Sequence, residues 1–266
     1  MSAASLARAV SLALSLLCIA ALWIWQSMQQ QALRPTARTT GWTLLAVCVA
    51  LTLLNLRKKL AALPLGRGRL WLHVHAYLGI VSLGIFAAHA GRHWPHGAVQ
   101  IVLWWLFLLT ALGGVLGLAL SRWFAERLRQ RGGETLWQQI PSQRRELAES
   151  AHHVVRGVME STSATTLAQF HAEHLASFLA QPRHAVAHLC GSALPRRTLL
   201  RELSAQHQYF EPQERTACDE LVSLIERKDD LDFHYALQGT LRLWLFAHIG
   251  LTAALLVIAA VHALLA

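Results

Sequence analysis

The sequence predicts an all-α integral membrane protein: five transmembrane helices, with a helical cytoplasmic insert between the fourth and the fifth. Three observations predict it. The 266 residues are 54% hydrophobic and only 15% charged, against about 25% charged in soluble domains. The apolar residues gather in blocks of about 18 to 25 residues, the helix length that crosses a hydrocarbon core about 30 Å thick. The interiors of those blocks hold no ionised side chain other than histidine. Finally, charge is segregated: residues 1–121 hold nine Lys and Arg and no Asp or Glu, so the whole net +9 sits in the first half.

The first block, 6–26, is long for a signal peptide and ends in Trp23-Ile24-Trp25 without a small-residue cleavage site, so it reads as a retained helix. Spans two to five follow at 41–56, 70–90, 98–121 and 241–265. Trp42, Trp71, Trp94, Trp123 and Trp244 fall at or near span ends, where the amphipathic indole prefers the headgroup region.

A sequence pI near 10.3 would ordinarily raise nucleic acid as a partner. Here the cations lie in short loops between spans and read as orientation signals, so no nucleic acid is expected. Arg57, Lys58, Lys59, Arg67 and Arg69 fill the loop between spans two and three, and Arg122, Arg127, Arg129 and Arg131 follow span four. The positive-inside rule puts both in the cytoplasm. Only Arg34, Arg38 and Arg92 fall in the opposite loops. The chain is thus expected in a bacterial-type inner (plasma) membrane, in contact with lipid, its N-terminus cytoplasmic and its C-terminus outside.

Residues 1–121 then carry helices one to four, 122–240 the insert and 241–266 helix five. Within the insert, 143–158, 165–180 and 212–227 show apolar residues at helical spacing, and Pro212 suits a first helical turn. No G-x-G-x-x-G or Walker-type run is present, so the chain has no recognisable nucleotide or flavin phosphate cradle.

Ionisable groups inside spans are rare and point to function. Those of interest here are histidines. His75 and His89 lie fourteen residues apart in span three, and His248 and His262 fourteen apart in span five. At about 100° per residue, fourteen residues turn to about 40° short of four full turns, so each pair shares a helix face with about 21 Å of rise between its members. Spans three and five run the same way through the membrane, so His75 matches His248 in depth near the inner side, and His89 matches His262 near the outer side. Two neutral imidazoles converging from facing helices in an apolar shell are what a low-spin haem iron takes as axial ligands. Between the ligands, the same stripes carry Gly79, Ser82 and Phe86 in span three and Thr252, Leu255 and Ala259 in span five. Gly113, Gly114 and Gly117 of span four offer a further close approach to a flat macrocycle, or else close helix packing. A histidine-lined ion or metal transporter is the alternative; cation paths usually include an intramembrane Asp or Glu, and no span has one.

The segments H-A-Y-L-G-I-V-S-L-G-I-F-A-A-H and H-I-G-L-T-A-A-L-L-V-I-A-A-V-H resemble the membrane di-haem cytochromes b, a broad group including cytochrome b561-like, ferric-reductase-like and respiratory gamma-subunit proteins. The resemblance implies two b-type haems with His75, His89, His248 and His262 as iron ligands. It also implies electron transfer between a quinol pool or soluble donor and an acceptor, as a respiratory-chain type of activity. The P-E-W-Y-type quinol motif and any flavin or NADPH domain are missing, as is a C-x-x-C-H covalent haem motif. The chain is therefore expected to serve an oxidoreductase complex as its electron-transfer subunit, with a c-type cytochrome or iron-sulfur protein as partner and quinone as a further one.

Arg69 and Arg242 lie at the inner ends of the two ligand helices, where a guanidinium can pair with a haem propionate as well as set topology. His73 points about 200° from His75 and cannot share its face. His93 and His96 lie in the outer loop after His89. In the insert, His171 with His174, and His184 with His188 and Cys190, have spacings that metals use, although eight histidines in that stretch make such pairs common by chance.

Overall fold

The computed structural model describes residues 3–32, 36–59, 68–91, 94–131, 135–161 and 165–265, without the side chains of residues 3–5, 7, 8, 30, 54–59 and 69. Among the described residues all regular structure is helical. The α-helices are α1 (Ala3–Gln31), α2 (Ala37–Lys59), α3 (Gly68–Ala90), α4 (Ala98–Gln130), α5 (Ile140–Ser161), α6 (Thr166–Phe170), α7 (Ala176–Ala180), α8 (Ala185–Leu189), α9 (Leu194–Gln206) and α10 (Pro212–Leu265).

Four of these, α1, α3, α4 and α10, are long and apolar enough to cross a membrane. The chain is a multi-pass helical membrane protein. In α2 the described side chains form an apolar run over Ala37–Leu53.

Two helices outrun their expected bounds. Helix α4 continues to Gln130, beyond 121, and α10 joins the expected 212–227 helix to span five without interruption. Between Pro212 and Gly239 the sequence has neither proline nor glycine, and a change from polar to apolar side chains does not end a helix. At Gly239 the helix passes under Trp137, whose Cη2 would lie 3.1 Å from an added Cβ. The expected 165–180 helix is present with a π-helical turn, His171–Leu175, between α6 and α7.

The chain divides into two compact units, residues 1–118 with 245–266, and residues 119–244. In the first, α3 packs along α1 and α2. Gly84 admits Ile19, whose Cγ1 would be 2.7 Å from any Cβ there, and Gln26 Nε2 donates to the Ala88 carbonyl at 2.8 Å. Cys48, Phe107 and Leu255 form its buried apolar cluster, with Leu44 and Phe86 against it. The Phe86 and Phe107 rings stack at 4.1 Å. Large apolar side chains such as Leu17, Ile24, Leu112, Val115 and Val257 stay exposed, a surface suited to lipid.

The second unit has a core of the soluble kind. Ile140, Leu147, Ala151, Val155 and Val158 line one face of α5 and pack with Leu167, Phe170, Leu175 and Leu179, and with Leu221 and Ile225 of α10. Helix α6 lacks a side-chain cap of its own. Its Leu167 N–H instead donates to the buried Glu214 carboxylate at 2.9 Å, and the Glu211 N–H donates to the other oxygen at 3.2 Å. One side chain thus satisfies donors at the starts of two helices.

Candidate functional site

Helix α2 runs antiparallel along α3 and meets both of the α3 histidines with main-chain oxygens. His75 Nδ1 donates to the Leu51 carbonyl at 3.1 Å, and His89 Nδ1 donates to the Ala37 carbonyl at 3.0 Å. The two acceptors are themselves fourteen residues apart, as the two histidines are, so a single helix register serves both. A carbonyl only accepts, so each contact puts the ring proton on Nδ1 and makes Nε2 the nitrogen that carries the lone pair.

The opposite imidazoles come from α10. His248 and His75 lie close enough to act on one another electrostatically, as do His89 and His262. All four rings are half-buried. By sequence position, Leu255 lies midway between His248 and His262, and Phe86 lies one turn before His89. Both belong to the apolar cluster with Phe107 and Cys48, which separates the two pairs with hydrocarbon.

The glycines fall into three situations. A Cβ at Gly79, one turn beyond His75, would meet nothing within 4 Å, so the histidine stripe of α3 has open space there. On α4, a Cβ at Gly113 would lie 3.4 Å from His248 Nδ1, and one at Gly114 would lie 3.7 Å from its Cε1; Gly117 is buried on the same helix. On α2, a Cβ at Gly41 would be 2.8 Å from His89 Cε1. Glycine at 41 is therefore a condition for the His89 ring to sit where it does.

The remaining expected residues are placed as follows. The Arg69 side chain and His93 lie outside the described residues. Arg242 belongs to the second unit, where its guanidinium lies 5.2 Å over the Trp137 ring. His73 is stacked with Tyr77 at 6.4 Å. The His96 N–H reaches Gln100 Oε1 at 3.4 Å. In the insert, His188 lies 3.8 Å from Asp229 and His174 lies beside Glu173 and Glu202. Among the described residues, no three His, Cys, Asp or Glu side chains converge on a metal position.

Sequence reasoning missed the contribution of α2. Carbonyls carry no side-chain signature, and Thr40 and Gly41 gain meaning only once the α2–α3 register is known. The chain matches no family model, no curated protein and no solved structure.

Proposed function

We propose that this chain is a di-haem b-type cytochrome subunit that carries electrons across a membrane. The observation that carries the reading is the pair of Nδ1–carbonyl contacts in one register, with an α10 histidine near each ring. The donor set fits the group: His75 and His248 would hold one haem iron through Nε2, and His89 and His262 would hold the other. The space beside Gly79 suits a flat ring close to the helix, and the missing side chain at Gly113 makes room for the His248 ring. When bound, each haem supplies a one-electron carrier, with a potential set by its axial ligands and by the polarity around it. The chain's own residues fix the tautomer of the α3 ligands, keep hydrocarbon between the two pairs and leave the pairs about 21 Å apart along the helices.

In the same reading α2 is a fifth span, packed against α3. The arginine-rich loop 57–69 and the insert are cytoplasmic in a bacterial-type inner membrane, with the C-terminus outside. The electrons come from a quinol or a redox protein and leave to a partner subunit, a c-type cytochrome or an iron-sulfur protein. The chain has no flavin cradle or iron-sulfur cysteine set to originate them.

A reduced-minus-oxidised difference spectrum of the purified chain tests the proposal, with a b-type α-band as the expected result. Substituting His75 or His248 with leucine should deplete one haem, and substituting His89 or His262 the other, while His73→Leu should leave both. Retention of two low-spin haems in all four ligand variants, or a wild-type chain without haem, refutes the assignment.

A further inference from the structure

We infer that Thr40 is a positioning residue for one haem and not for the other, so that the two sites differ in ligand electronics through α2. The inference rests on the di-haem reading and extends it to the regulation of one site. Thr40 is 1% exposed, and its hydroxyl lies 3.2 Å from His89 Nδ1.

The direction of each bond follows from the donors available. The single Thr40 hydroxyl proton is directed at the carbonyls of Thr36, at 3.0 Å, and Ala37, at 3.1 Å. The His89 Nδ1 proton is directed at the Ala37 carbonyl. The hydroxyl oxygen therefore faces an Nδ1–H and accepts from it. The ring proton is shared between a carbonyl and a hydroxyl that is itself polarised by donating onward. Acceptors on the far nitrogen push electron density toward the ligating one, stabilising the oxidised iron, and they also fix the plane of the ring.

The Gly41 position completes the clamp. With a Cβ only 2.8 Å from His89 Cε1, any larger residue at 41 must turn the ring off the Ala37 and Thr40 oxygens. The register allows a direct comparison with the other site. Fourteen residues along α2, opposite His75, the counterparts of Ala37, Thr40 and Gly41 are Leu51, Leu54 and Asn55. The carbonyl recurs at Leu51, and the sequence has leucine, a residue without a hydroxyl, at 54. The same helix thus supplies a carbonyl to both rings and a hydroxyl clamp to His89.

The test is a redox titration with low-spin electron paramagnetic resonance on the purified, haem-loaded full-length chain, comparing wild type with Thr40→Val, Thr40→Ser and Gly41→Ala. Valine keeps the shape of threonine and removes the acceptor. Thr40→Val should raise the midpoint potential of one haem and shift its low-spin signal, leaving the other haem unchanged. Thr40→Ser should restore both, and Gly41→Ala should disturb the same haem as Thr40→Val. The disturbed component should be the one lost in His89→Leu. If Thr40→Val and Gly41→Ala leave both components at their wild-type potentials and signals, or if Thr40→Val alters both alike, the inference is overturned while the di-haem reading stands. A wild-type chain without haem overturns the di-haem reading, and this inference with it.

Discussion

The two units bury ionisable side chains in opposite ways. In the unit formed by residues 1–118 and 245–266, the half-buried basic groups among the described side chains of the helix interiors are histidines, and two of them are held by main-chain oxygens. In the unit formed by 119–244, full charges are buried, and Lys228, Asp229 and Asp232 are paired with opposite charges. Lys228 is 0% exposed, 2.5 Å from Asp232 and 2.9 Å from the Gln181 carbonyl, with its ammonium over the Phe178 ring. Asp229 receives Arg131 at 3.0 Å and Arg196 at 3.9 Å. A neutral imidazole can lose water at the cost of one hydrogen bond, whereas a buried ammonium or carboxylate needs an opposite charge or, as at Glu214, several hydrogen-bond donors. Burial is strong enough to win even within the pair: it pulls the Lys228 ammonium below the usual lysine range and pushes the Asp232 carboxyl above the usual carboxylate range, against their mutual attraction.

The largest effect should come from breaking that pair on one side only. Asp232→Ala leaves the Lys228 ammonium buried without its carboxylate and also releases the Arg183 N–H that donates to Asp232. The expected loss is about 3–5 kcal/mol in the stability of the 119–244 unit. Replacing both partners, Lys228→Met with Asp232→Leu, should recover most of it, because an apolar pair of similar volume needs no compensation. Limited proteolysis of the full chain across a denaturant series reads both. A double variant as unstable as Asp232→Ala would show that the pair does more than neutralise itself.

A middle-sized effect should separate a polar group that serves other segments from one that serves its own helix. Glu214→Ala strips acceptors from the Leu167 and Glu211 N–H groups, so the 119–244 unit should lose about 1–3 kcal/mol. Ser82, also buried, donates to the Gly79 carbonyl of its own helix at 2.7 Å. Ser82→Ala should leave the detergent-solubilised chain within about 0.5 kcal/mol of wild type. Thermal unfolding followed by circular dichroism ranks the two, and equal losses would erase the distinction between the units.

These contrasts also mark what the sequence makes legible. The long apolar helices α1, α3, α4 and α10 are visible because lipid demands uninterrupted apolar length, and the fourteen-residue histidine intervals because helical geometry turns spacing into a shared face. Helices α8 and α9 were not visible: α8 has only five residues and α9 is polar over most of its length. The continuity of α10 was hidden because its composition changes near residue 240 while its backbone does not. At the candidate site the four imidazoles carry a side-chain signal. The oxygens of Ala37, Leu51 and Thr40 acquire a role only through a register between helices.

The smallest effect is a pH dependence confined to the second unit. His188 is 3% exposed on α8, and its Nδ1 has no hydrogen-bond partner among the described residues. Asp229 and Asp232 of α10 favour its charged form, whereas Arg131, just after α4, and the neighbouring His184 oppose it. Its carbonyl and that of Leu189 receive the Arg127 guanidinium at 2.7 Å, and Arg196 of α9 bonds the same Asp229. Burial is the largest influence, and it holds the His188 imidazolium below the usual histidine range. The unfolded chain therefore takes up this proton first as pH falls. The histidine's contribution is fully present above about pH 6.5 and is lost as pH falls from there through the depressed folded value. Asp230 and Asp232 work in the other direction at lower pH, because burial raises both, so the folded unit takes up those protons first. Wild type should thus lose stability just below pH 6.5 and lose progressively less in the carboxylate range. His188→Gln, which cannot titrate, should remove the first slope and keep the second. Chemical denaturation of the full chain at half-unit steps from pH 7.5 to pH 4 measures it, and a His188→Gln profile parallel to wild type would place the titrating group elsewhere.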